Sequence, residues 1–180
     1  MKKEIKYIVG DVREPIGDGK KIICHCVNNK GRMGSGVALA LLKKWPNVRK
    51  DYIRWFQTGQ TMVIKSETGD VPDGSFNLGN IQFVRVVDGE ILVVNMIAQH
   101  DTVEINGVPP VRYDALCNCL KKVYALTAKG NISIHIPYLM CCDLAGGDWG
   151  IVEKIIQEEL CDKGIDVIAY DINNLRGLAV

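Results

Sequence analysis

A chain of 180 residues with 47% hydrophobic and 24% charged side chains has enough apolar material for a folded core and lacks the low-hydropathy, high-charge bias of a disordered chain. Its 22 Lys and Arg face 21 Asp and Glu, so no basic field exists to hold a nucleic-acid backbone by counterion release, and nucleic acid is not an expected partner. The opening MKKEIKYIVGD has an apolar run too short and too charged for a signal peptide or a membrane span, which leads us to expect a cytoplasmic protein with no membrane association.

Residues 5–9 (IKYIV) and 22–27 (IICHCV) read as strands. The stretch 36–44 carries apolar residues at 37, 38, 41 and 42, a helical spacing that Trp45 extends, and Pro46 then ends this helix and opens a second over 47–57. Residues 66–80 are rich in Gly, Asp, Ser and Asn and read as loop. Strands 81–87 and 90–97 are joined by Asp88-Gly89, a strong hairpin signal. A helix over 111–128, a strand over 132–138, a helix over 149–161 and a strand over 165–170 complete the order. Strands alternating with helices, with one hairpin among them, predict a three-layer α/β/α sandwich on a mixed central sheet.

Seven cysteines fall at 24, 26, 117, 119, 141, 142 and 161, with no CxxC and no zinc spacing. The odd count and the absent leader predict reduced thiols, and no metal or cofactor is implied. Cys24 and Cys26 point to one face of their strand and His25 to the other.

Ligands of such sheets bind at the carboxyl ends of the strands. Two glycine-rich segments stand at such ends, each ahead of a helix: Lys30-Gly31-Arg32-Met33-Gly34-Ser35-Gly36 and Asp143-Leu144-Ala145-Gly146-Gly147-Asp148. Glycine lets the backbone approach a ligand, and the unpaired N–H groups of a first helical turn carry partial positive charge, so each segment can cradle an anion without a charged side chain. Two of them on one edge suit a diphosphate held from both sides. The first spacing is G-x-x-G-x-G, which is neither the dinucleotide fingerprint nor a P-loop.

Gly10-Asp11-Val12, Asn28-Asn29, Gly31 to Ala38, Asn95-Met96-Ile97-Ala98-Gln99, Arg112 to Leu116 and Leu144 to Trp149 form an ordered set that resembles the macrodomains, in particular the branch with ADP-ribose-1''-phosphate phosphatases and the terminal ADP-ribose protein glycohydrolase. The resemblance covers nearly the whole chain and implies one macrodomain over 1–180. It implies that Asp11 accepts from the adenine amino group beside the Val12 amide and Gly10, that Tyr170 stacks on adenine, and that Asn28 meets the distal ribose. Gly34, Ser35, Gly36 and Val37, and Leu144, Ala145, Gly146 and Gly147 with Asp143, become the two phosphate loops, and Met33 and Trp149 are either lids over the ribose or simple packing. The ligand implied is ADP-ribose or a 1''-substituted derivative, free or carried on protein.

The lysine nucleophile of the glycohydrolase is replaced by Gln99, its helper aspartate falls at Ala145, and Cys141 and Asp143 stand where the second loop usually has glycines. The resemblance therefore implies hydrolysis of ADP-ribose-1''-phosphate with His25 and Asp148 as acid and base, Asn28 positioning the ribose, and no metal. Two alternatives stay open: a reader of ADP-ribose or ADP-ribosylated protein that catalyses nothing, and a nucleotide-fold module that binds only a partner. As structural residues, Asp148 would be the N-cap of helix 149–161, His25 a hydrogen-bonded strand histidine and Asp11 a turn former.

Overall fold

The computed structural model describes residues 1–62, 73–127 and 130–178. In chain order these form β1 (Lys6–Val9), β2 (Lys20–Asn28), α1 (Gly36–Lys44), α2 (Pro46–Thr58), β3 (Ile81–Val87), β4 (Ile91–Gln99), α3 (Tyr113–Thr127), β5 (Ile132–Pro137), α4 (Trp149–Glu159), a short 3-10 turn (Cys161–Lys163) and β6 (Asp166–Asp171). The strands make one six-stranded sheet in the order β1-β6-β5-β2-β4-β3, parallel except for the β3–β4 hairpin. This is the mixed α/β/α sandwich that the hydrophobic periods predict. Part of the expected 66–80 loop and the last residue of the expected 111–128 helix lie outside the described residues.

Local chemistry sets the element ends. The Trp45 N–H closes on the Leu41 carbonyl at 2.8 Å, and Pro46, which has no N–H to offer, starts α2 at once. Gly59 ends α2 at φ +74°, a conformation that penalises a side chain, with its N–H on the Trp55 carbonyl. At Asp88-Gly89, Gly89 takes φ +75° and lets the chain reverse between β3 and β4.

The two faces of the sheet bury separate clusters. On one, Leu116, Leu120 and Val123 of α3 and Val152 and Ile156 of α4 pack on Cys24, Val94, Met96, Ile134 and Ile136. On the other, Leu41 of α1 and Val48, Tyr52 and Trp55 of α2 pack on Ile23, Val27, Val93 and Ile97. Because β2 and β5 are parallel neighbours, the loops that leave their carboxyl ends, 29–35 and 138–148, emerge side by side on one edge.

Candidate ligand cleft

Between those two loops lies a cleft of about 790 Å³. The N-terminus of α1 forms one wall. Its N-cap, Ser35, is extended (φ −141°) and contributes no side-chain hydrogen bond, so no capping side chain covers the first-turn donors. Met33 through Ala38 all line the cleft, with Met33 buried into the α1/α2-side cluster. Positive φ is found at Gly31 and Gly36 and not at Gly34, and a Cβ built on Gly34 meets no atom within 4 Å. Gly31 is the crowded position: a Cβ there would stand 2.4 Å from the Phe56 ring.

Asn28 holds this loop in shape. Its Oδ1 accepts from the Lys30 N–H (3.0 Å), the Arg32 N–H (3.2 Å) and the buried Tyr52 hydroxyl (2.9 Å), while its Nδ2 donates to the Arg32 carbonyl (2.6 Å). One amide N–H is left for a ligand. Asn28 lines the cleft, so loop organisation and a ribose contact coexist in one side chain.

The second wall is loop 138–148, where Cys141, Cys142, Asp143, Leu144 and Ala145 face the cleft. Its turns close through Cys142 N–H to the Leu139 carbonyl, Gly146 N–H to Asp143 and Gly147 N–H to Cys141, at 2.9, 3.0 and 2.9 Å. Leu139 and Cys141 both adopt left-handed backbone, at φ +63° and +64°. Cys141 thus takes the conformation that a glycine would supply at that point. Gly146 (φ +69°) packs under Pro109 and Gly147 under the Cys141 carbonyl; both support the loop from behind and neither lines the cleft. Asp143 and Leu144 are exposed at the rim, whereas Ala145 is buried.

The expectation of seven reduced thiols is corrected: Cys26 and Cys141, 115 residues apart, are joined as a disulfide with Cα atoms 6.0 Å apart. The parallel pairing of β2 and β5 brings them together, which no local spacing shows. The other five cysteines are free.

At the opposite end, Asp11 is gripped by Arg13. Its carboxylate accepts the Arg13 N–H at 2.9 Å and the guanidinium at 2.9 Å (Nε) and 2.5 Å (Nη2). Those hydrogen bonds and the adjacent positive charge hold its carboxyl below the usual range, against the cost of burial. Asp11 and Val12 line the cleft, and Gly10 sits behind them against the Tyr170 ring without reaching it. Tyr170 lines the same end, but it is 3% exposed and its hydroxyl is engaged by His135 Nδ1 (2.7 Å) and the Ile16 N–H (2.9 Å).

The expected acid–base pair is not brought together. His25 contributes to the cleft wall but is 2% exposed, with its Nε2 2.5 Å from Asn95 Oδ1. A chain of amides sets its tautomer. Gln82 Nε2 donates to the Asp51 carbonyl and Thr61 Oγ1, so Gln82 Oε1 accepts from Asn95 Nδ2, so Asn95 Oδ1 must accept from His25 Nε2–H. The lone pair therefore sits on Nδ1, a buried atom with no hydrogen-bond partner among the described residues. Burial pushes the His25 pKa down to about 4, so the ring is neutral near pH 7. Asp148 lies outside the cleft, where its Oδ1 caps α4 by accepting the Ile151 N–H at 3.2 Å and its own N–H donates to the Tyr113 hydroxyl.

Sequence reasoning missed several cleft residues, among them Arg13 beside Asp11, Thr102 beyond Gln99, Tyr138 to Met140 at the start of the second loop, and Asp171 to Asn173 after β6. Arg13 carried the only signal, an opposite charge two residues from Asp11. Among the described residues no group of three or more His, Cys, Asp or Glu side chains is placed to hold a metal ion, and no helix is long and apolar enough to cross a membrane.

Two buried neutral histidines make stability depend on pH. His135, fully buried between Ser133 and Tyr170, is also pushed down to about 4, by burial and then by the Lys21 charge. Both folded values lie below the unfolded one of about 6.5, so the stabilisation is present above pH 6.5 and is lost as pH falls toward 4. From pH 7 to pH 5 each histidine should cost about 2 kcal/mol, and the melting temperature should fall by ~7–14 °C. A melting temperature that stays flat down to pH 5 would contradict this burial.

No protein-family model matches the chain. Its first curated relatives are the chromodomain-helicase-DNA-binding protein 1-like proteins of Mus musculus and Danio rerio, 26% and 30% identical over 92% of this chain. The chain spans about a sixth of their length, 17% and 15%. An ADP-ribose 1''-phosphate phosphatase of Meyerozyma guilliermondii is 29% identical over 90 residues, 45% of this chain and 50% of that one. Among solved structures, a protein of unknown function from Bacteroides thetaiotaomicron is 42% identical with a TM-score of 0.81, covering 94% of this chain and 98% of that one. A macrodomain protein from Streptomyces coelicolor is 34% identical with a TM-score of 0.73, covering 93% of this chain and 99% of that one. With that identity and fold likeness along almost the full length of both chains, this chain belongs to the macrodomain family.

Proposed function

We propose that this macrodomain, a single unit over 1–180 working in the cytoplasm, binds ADP-ribose in the cleft and hydrolyses phosphate from ADP-ribose-1''-phosphate. The observation that carries the binding is the pairing of an uncapped α1 N-terminus with the backbone loop 138–148 across one cleft, which offers fixed N–H donors to a diphosphate from two sides. Asp11, held charged by Arg13, accepts three Arg13 N–H groups and keeps one acceptor position for an adenine amino group. The partial match to an ADP-ribose 1''-phosphate phosphatase supports the reaction. In it, water attacks the terminal phosphorus, the bond to the ribose oxygen breaks, and backbone donors absorb the charge that develops. In this reading His25, neutral with its lone pair on Nδ1, takes the proton of the attacking water and returns it to the departing ribose oxygen. Asp148 contributes by capping α4.

Three observations favour a reader that catalyses nothing. His25 Nδ1 is sealed from solvent, Asp148 is spent on a cap, and Gln99 stands where the related glycohydrolase has its lysine. The two readings separate in one assay. Phosphate release from ADP-ribose-1''-phosphate should proceed with chelator present, and His25→Ala should lower turnover by about a hundredfold or more with little change in ADP-ribose affinity. Asp148→Ala should cost about 1 kcal/mol of stability and leave turnover within a few-fold. Clear ADP-ribose binding without any phosphate release by the wild type would establish the reader. Selective binding of ADP-ribose over ATP, NAD and AMP would exclude a module that binds only a protein partner.

A further inference from the structure

The Cys26–Cys141 bond stands inside the cleft that the resemblance reads as the ADP-ribose site, and both of its residues line it. It connects the two walls at their most sensitive points. Cys26 lies on β2 two residues before Asn28, whose side chain organises the first loop. Cys141 lies in the middle of the second loop, its backbone left-handed at φ +64° and its carbonyl accepting the Gly147 N–H at 2.9 Å. A non-glycine residue in that conformation persists only where its surroundings over-determine it. Here the covalent tie to the sheet supplies part of that restraint.

We propose that Cys26 and Cys141 form a redox site that tunes ligand affinity: the disulfide holds loop 138–148 in its cleft-forming shape, and reduction releases the loop and weakens binding. A dithiol reductant supplies the two electrons and two protons required. Its thiolate attacks one bridging sulfur, breaking the Cys26–Cys141 bond and forming a mixed disulfide. Its second thiol then attacks the mixed disulfide, leaving Cys26 and Cys141 as thiols and the reductant as its own disulfide. A low-molecular-weight disulfide reverses the process. Two thiol sulfurs cannot remain at bonding separation, so once reduced they must part, and Cys141 is the one on a loop.

The remaining cleft thiol does not short-circuit this exchange. Cys142 donates to the Met140 carbonyl at 3.3 Å, and burial and then the Asp148 charge push it up to about 11, so it stays protonated and unreactive near pH 7. Cys24, the other thiol near Cys26 in sequence, is fully buried in the α3/α4-side core. A reducing cytoplasm would keep the pair open and the cleft loose, and oxidising conditions would close it.

The affinity arm rests on the ADP-ribose reading, so the test has a second arm that does not. Full-length wild type and Cys26→Ala are each treated with glutathione disulfide or with dithiothreitol, the bond is scored by intact mass and free-thiol count, and ADP-ribose is titrated by calorimetry. Reduction should weaken binding by the wild type about tenfold, as expected if only about a tenth of reduced molecules hold the competent loop. Cys26→Ala should show the weaker affinity under both treatments. In parallel, amide hydrogen exchange over 138–147 should speed up on reduction of the wild type and be fast in Cys26→Ala throughout. Equal affinity and equal exchange in the two wild-type states, or no bond after oxidation, would overturn the proposal. No ADP-ribose binding in either state, with exchange still responding to redox, would sink the ligand reading and leave the switch standing.

Discussion

Gly147→Val is expected to weaken ADP-ribose binding by at least a hundredfold in a protein that still folds, with a melting temperature several degrees lower. A Cβ at Gly147 would sit 2.4 Å from the Cys141 carbonyl oxygen and 3.2 Å from its carbon. These are backbone atoms, so no rotamer change relieves the clash. The same carbonyl accepts the Gly147 N–H at 2.9 Å, so the side chain would break the hydrogen bond that closes the second loop as well as push the chain aside. Gly147 itself belongs to neither core cluster, although Cys141 and Ala145 of the same loop pack into the α3/α4-side one, so folding should survive at a lower melting temperature. Gly34→Ala is the informative contrast. It needs no positive φ and its Cβ meets nothing, so the melting temperature should stay within a degree or so of wild type, and any loss of affinity must come from the cleft itself. Thermal melts and calorimetric titration of both variants check this. Wild-type affinity in Gly147→Val would show that the second loop is a connector.

The same pair of glycines shows what could be read from the sequence and what could not. Glycine-rich text before a helix marked both loops, and parallel strands put them on one edge, because these depend on local conformational freedom and on the order of elements. Which glycine bears the steric demand depends on neighbours far along the chain: Phe56 over Gly31, Pro109 over Gly146, and open space at Gly34. Helix phases, the stop at Pro46 and the turn at Asp88-Gly89 were legible for the same local reason, and the elements begin and end within about two residues of their expected bounds. His25 was legible as a strand residue opposite Cys24 and Cys26. Its tautomer was not, since that is fixed by Asn95 and Gln82 on two other strands. The Cys26–Cys141 bond spans 115 residues and leaves no period or spacing to find. Asp148 shows one residue fitting two roles in sequence; only the Ile151 hydrogen bond and its place outside the cleft separate them.

Asn28→Ala should lower both stability and affinity, and the joint loss distinguishes a loop organiser from a simple ribose contact. Removing the amide leaves the Lys30 and Arg32 N–H groups, the Arg32 carbonyl and the Tyr52 hydroxyl without their side-chain partner. With partial rescue by solvent and by the Asn28 carbonyl, which also accepts from Tyr52 at 2.7 Å, the cost should be about 3 kcal/mol. That corresponds to a melting temperature lower by ~6–12 °C for a chain of this length. If Asn28 only donated one hydrogen bond to ribose, the expected change would be a loss of affinity of about two- to tenfold with no change in melting. Asn28→Asp tests the polarity of the same network, because it keeps the three accepted bonds but sets a carboxylate oxygen against the Arg32 carbonyl where the amide donated. It should therefore recover only part of the stability. Tyr52→Phe makes the argument independent of the cleft: its hydroxyl is buried beneath the loop and lines no part of the ligand space, yet it holds Asn28 Oδ1 in place. A weaker ADP-ribose affinity in Tyr52→Phe, measured by calorimetry beside the two Asn28 variants, would place the binding energy in the preorganised backbone of the first loop, and unchanged affinity would leave Asn28 as a direct contact alone.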